Sequence, residues 1–65
     1  MSIKIDLDEI VNGKDRQTNF TTQLLKLILK ADVRNTELLR VSYPNAVMTV
    51  RQWQATGEIL DLEQD

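Results

Sequence analysis

The sequence contains no cysteine and no histidine, and these two absences remove whole classes of chemistry. No disulfide can form, and the thiolate and imidazole ligands that hold structural zinc are missing. General acid-base catalysis at neutral pH most often uses His, and nucleophilic catalysis commonly uses Ser, Cys or Thr beside a base. The serines are only Ser2 and Ser42, and neither lies in the G-x-S-x-G turn of a nucleophile elbow. Gly13 and Gly57, the only two glycines, are too few and too far apart for a phosphate-cradling loop. No catalytic residue, cofactor site or metal site is expected, and the chain is read as a non-enzyme. Carboxylate pairs are the one remaining source of such chemistry. Asp6 with Asp8 on one strand face, or Asp61 with Glu63, would put two carboxylates side by side, but in terminal segments with no expected pocket.

Long apolar runs are also missing. The longest block, Leu24 to Ala31, is interrupted by Lys26 and Lys30 and falls well short of the ~20 residues that span a bilayer. The opening MSIKIDLDEI is acidic where a secretory signal needs a basic flank and an apolar run. The expectation is a soluble, cytoplasmic protein that does not engage a membrane. Sixty-five residues make one domain, 1–65, which buries only about 60% of its unfolded surface. A core of this size supplies about 3–5 kcal/mol and usually needs a staple. With disulfide and zinc excluded, self-association is the staple expected here, a homodimer above all.

The net charge is −2, but its distribution is uneven. Residues 1–9 set Lys4 against Asp6, Asp8 and Glu9, for −2; residues 57–65 carry Glu58, Asp61, Glu63 and Asp65, for −4. Between them, seven Lys and Arg oppose Asp15, Asp32 and Glu37, for +4. Such charges ordinarily solvate exposed faces. The alternative is that the basic body meets an acidic partner surface.

The periodicity predicts a mainly α protein, a bundle of three short helices at about 18–31, 33–42 and 44–56. Ile3, Ile5 and Leu7 alternate with Lys4, Asp6 and Asp8, the period-two pattern of a half-buried strand, so residues 3–7 read as an extended or β arm. Asn12-Gly13 then turns the chain. From Asp15 or Thr18 onward, Phe20, Leu24, Leu27, Ile28 and Ala31 recur at helical spacing, with Leu25 and Leu29 widening the stripe. Thr18 or Asn19 is placed to cap that helix. So wide a stripe calls for cover on two sides, by a second helix pair or a second subunit. Asp32 is placed to cap the next helix, whose inner side takes Val33, Leu38, Leu39 and Val41. Tyr43 before proline leaves the helical region, and Pro44 suits a first helical position. Ala46, Val47, Val50 and Trp53 then share a face, and Gly57 sits where a left-handed cap is wanted. Ile59, Leu60 and Leu62, interleaved with acids, give the tail 58–62 the look of a short strand pairing with residues 3–7 of the same or a neighbouring chain.

Phe20 reads as core. Tyr43 and Trp53 each join an apolar body to a polar tip, so they can serve as core edge or interface anchor. With Leu25 and Leu29 from the wide stripe, they make up the expected protein interface. Three short helices with a tight second turn also outline a helix-turn-helix. Its reading helix would expose Asn45, Thr49, Arg51 and Gln52 to nucleic acid. A chain of pI about 4.9 brings little of the positive charge that such binding needs, so nucleic acid is the secondary expectation.

The run Ala31-Asp32-Val33-Arg34-Asn35, continued through Tyr43-Pro44 and Arg51-Gln52-Trp53, resembles small bacteriophage and prophage proteins of unknown function. They share an A-D-x-x-N core and a later aromatic-proline pair. The resemblance spans residues 20–54. It implies a helical fold and a viral origin, hence a host cytoplasm as the site of action, and it transfers no functional residue. The combined expectation is a non-enzymatic, self-associating protein that binds an unidentified protein partner and modulates a host enzyme or defence system. A small DNA-binding regulator is the alternative.

Overall fold

A computed structural model describes residues 2–14, 16 and 18–65. It holds four helices, α1 (Ile3–Val11), α2 (Phe20–Lys30), α3 (Val33–Ser42) and α4 (Pro44–Thr56), with no strand among the described residues. The protein is mainly helical as expected. The extended arm at 3–7 is a correction, because those residues open a helix.

The reason lies in which residues α1 buries. Ile3, Asp6 and Leu7 are buried, and Ile10 and Val11 pack at the core's edge, the three- and four-residue spacing of a helical face. Ser2 caps this helix by accepting the Lys4 N–H at 3.1 Å. Ile5, which completes the alternating pattern in sequence, is 60% exposed. A turn follows, at which a Cβ on Gly13 would meet the Glu9 carbonyl oxygen at 2.7 Å; the close approach of backbone there requires glycine.

The other helix ends follow local cap chemistry. Asn19 Oδ1 accepts the Thr22 N–H at 2.8 Å, and Asp32 Oδ1 accepts the Asn35 N–H at 2.8 Å. The earlier possible helix start, Asp15, lies outside the described residues. Pro44 opens α4, and Gly57, at φ 81°, closes it in the left-handed region with its N–H on the Trp53 carbonyl.

The core consists of Ile3 and Leu7 from α1, Leu24, Leu25 and Ile28 from α2, and Ala46, Val47 and Val50 from α4. The bundle that holds the protein together is therefore α1, α2 and α4, not the three later helices. α2 is covered on two sides, as its stripe required, by α1 and α4 of the same chain. α3 packs on α4 but adds little to the buried core: Thr36 is its only buried residue, and Leu39 packs at the core's edge. The expected inward face of α3 is corrected accordingly. Val33, Leu38 and Val41 are 78%, 59% and 78% exposed. Phe20 is also on the surface rather than in the core, tilted against Tyr43 with ring centroids 6.0 Å apart.

Residues 58–65 form a strap instead of a strand. A single antiparallel bridge joins Ser2 to Glu63, and the Ile3 N–H donates to the Leu62 carbonyl at 2.9 Å. Ile59 and Leu62 pack on the core. Gln64 Nε2 donates at 3.1 Å to buried Asp6, whose carboxylate also takes Asn19 Nδ2 at 3.3 Å. Among the described residues no buried side-chain polar atom is left without a partner. The radius of gyration, 10.7 Å, is that of a close-packed domain of this length, about 11 Å. The core closes within one chain.

Candidate functional site

With the core closed, the features left over for function are on the surface, and α3 supplies most of them. Its helix forms because Asp32 caps it and Tyr43 ends it, while little apolar surface holds it inward. Val33, Leu38 and Val41 consequently project from its outer side. Leu38 and Leu39 share a groove of about 450 Å³ with Leu27 of α2, and Lys30 and Asp32 stand in its wall. The two charges of the lining offset each other.

A second groove, of about 390 Å³, runs along α4. Pro44, Met48, Arg51 and Ala55 follow one another at helical spacing along it, Val47 lies beneath, and Arg40 of α3 closes the side. Both charged lining residues are cationic. Glu37 stands beside them and fixes both guanidinium groups: Arg40 Nε donates to Oε2 at 2.9 Å, and Arg51 Nη2 lies 3.4 Å from Oε1. The hydrogen bond and charge of Arg40, with a smaller share from Arg51, hold the Glu37 carboxyl below the usual glutamate range. A depressed folded-state value stabilises the protein above the unfolded value, and that contribution is lost as pH falls through the folded one. Carbon-detected NMR titration is expected to put the Glu37 midpoint below that of an ordinary glutamate. Arg40→Ala should raise it; an unmoved midpoint would show that Arg40 is not the cause. All three side chains are about half exposed, so salt should shrink the difference.

The residues expected at a protein interface are dispersed. Leu25 is fully buried, a correction, since a core side chain cannot meet a partner. Leu29, Tyr43 and Trp53 are partly buried against the core. None of the four lines either of these grooves. Among the residues expected to face nucleic acid, Thr49 is likewise corrected: it is fully buried, its hydroxyl donating to the Asn45 carbonyl at 2.8 Å. Asn45 is engaged with the strap, Nδ2 donating to the Glu63 carbonyl at 3.0 Å. Gln52 Nε2 lies 3.3 Å from both Thr56 Oγ1 and Glu58 Oε1. Arg51 is held by Glu37. The four do not make a free reading face.

No protein-family model, no curated protein and no solved structure matches this chain. Among the described residues no helix is long and apolar enough to cross a membrane, and no three acidic side chains gather where they could hold a metal ion. What sequence reasoning missed is Leu27, Val33, Leu38, Val41 and Met48 as surface residues. The available signal was the spread of apolar positions around α3, which is wider than one inward face can use.

Proposed function

We propose that this chain is a non-enzymatic interaction protein of phage or prophage type that self-associates through the outer side of α3 and binds a protein partner. The observation that carries the reading is the apolar outer side of α3, continuous through Leu38 with the Leu27 groove. Contiguous apolar surface of this kind marks interaction sites. A standard interface removes about 800 Å² per partner, nearly a fifth of the 4378 Å² surface of this chain. A ten-residue helix is only about 15 Å long, so such a contact takes in the Leu27 groove as well as α3. Action on a host enzyme or defence system, in the host cytoplasm, follows from the resemblance to phage proteins.

Light scattering at micromolar concentration is the test. The wild type is expected to be a dimer, and Leu38→Asp with Val41→Asp a folded monomer, the fold checked by far-UV circular dichroism. Both positions are exposed in the single chain, so charge there should leave the core intact. A monomeric wild type would overturn the self-association.

A further inference from the structure

We infer that the α4 groove is a docking site for an acidic amphipathic segment of a protein partner, with an apolar side chain seated over Met48 and carboxylates meeting Arg40 and Arg51. The inference rests on the reading of this chain as a protein-binding module and not on its self-association, which uses a different surface.

Charge decides the occupant. The chain as a whole is at −2, yet the charged residues lining this groove are two arginines and no acid. The Leu27 groove, lined by one lysine and one aspartate, has no such bias. The floor is apolar, from Pro44, Val47, Met48 and Ala55, and Met48 is 55% exposed. An apolar floor with cations on the rim fits a ligand that alternates apolar and acidic side chains. A basic or neutral segment would gain the floor and lose the rim.

Glu37 adds preorganisation. Its one carboxylate touches both guanidiniums and so holds two long side chains at the groove instead of letting them sweep through solvent. Arg40 is bound through Nε and Arg51 through Nη2, while each side chain stays half exposed. A guanidinium has five N–H donors in a fixed fork, so each retains donors for an incoming carboxylate. Glu37 is at once the brace and an internal competitor for the same cations. Phosphate groups would also meet the arginines, but a nucleic-acid strand gains nothing from the apolar floor, and Asn45 and Thr49 of the same helix are turned to other work.

The test uses the full chain, labelled with ¹⁵N, and three synthetic peptides on one helical template. The first pairs leucines one turn apart with flanking glutamates, the second replaces the glutamates with lysines, and the third replaces the leucines with serines. The glutamate peptide is expected to shift the amides of Val47, Met48, Gln52 and Ala55, and the other two to bind roughly ten-fold more weakly or not at all. Arg51→Glu should weaken the glutamate peptide by about ten-fold, and the double variant Arg40→Glu with Arg51→Glu should favour the lysine peptide. Glu37→Gln, which removes the competitor, should tighten glutamate-peptide binding, a gain that a purely structural role for Glu37 would not produce. Arg40 and Arg51 are exposed and Glu37 is partly so, and circular dichroism checks that the variants fold.

Equal binding of the glutamate and lysine peptides would overturn the inference, as would shifts confined to the Leu27 groove. So would a DNA duplex that shifts the same amides more strongly than the peptide. If only the lysine peptide binds, the acidic partner is wrong and the protein-binding reading stands. If no peptide binds, the inference falls and the light-scattering result alone decides the broader reading.

Discussion

Leu7→Ala is expected to bring the protein to the edge of unfolding at room temperature, while Ile5→Ala, two residues away, leaves its stability unchanged or slightly improved. Leu7 is fully buried between the helices of the core, and Ile5 is mostly exposed. Truncating a buried leucine to alanine costs about 2–5 kcal/mol. A domain this small holds about 3–5 kcal/mol in all, so the loss consumes most or all of the margin. At position 5 little packing is lost, and alanine is a better helix former than isoleucine, by a few tenths of a kcal/mol. The pair distinguishes two readings of one stretch, because in a half-buried strand Ile5 and Leu7 would share the buried face and both would be costly. Thermal melts followed by far-UV circular dichroism give the answer, and comparable losses from the two substitutions would rule out α1 as a helix packed through Leu7.

That stretch also shows where sequence stops being enough. Residues 3 and 7 fit both a two-residue and a four-residue period, so Ile5 alone tips a short window toward strand. The positions that decide for helix, Ile10 and Val11, lie beyond the alternation. Asp6 hides the same answer, since a buried carboxylate is not expected until Asn19 and Gln64 are seen to bond it. The later helices were legible because their ends are local chemistry: Asn19, Asp32, Pro44 and Gly57 act within a few residues of themselves, and the expected 33–42 and 44–56 are the observed α3 and α4. Orientation is different. Which side of α3 faces inward depends on α1 covering α2 from the same chain, where an extended arm was expected. Thr49 could be buried only because its hydroxyl is satisfied by its own helix. The grooves were illegible for the same reason, being made of whatever the core left over. The uneven charge was visible throughout, but only the fold shows that Arg40 and Arg51 meet at one groove.

The acidic end of the sequence has a structural role that its composition concealed, and cutting it away should abolish the cooperative unfolding transition. Tyr43 supplies no side-chain cap to α4. The carboxylate of Asp65 does so from a distance, accepting the Asn45 and Ala46 N–H groups at 2.9 Å each. Two otherwise unsatisfied donors at a positive helix end are met by one negative group. Ser2 donates to Asp61 at the start of α1, so the strap ties the beginnings of two helices that are far apart in sequence. Removing residues 58–65 would expose Ile3, take away Ile59 and Leu62, and leave Asp6 short of a partner. Asp65→Ala tests the cap by itself. It should cost about 0.5–2 kcal/mol, and at about 4–8 °C per kcal/mol for a domain of this size the melting temperature should fall by several degrees. Glu63→Gln is the control, since it removes the same charge from the same segment at a residue whose bond to α4 is made by its backbone carbonyl; it should stay within about 0.5 kcal/mol of wild type. Equal losses from the two would mean that the segment acts through its overall charge, and the cap at α4 would be disproved.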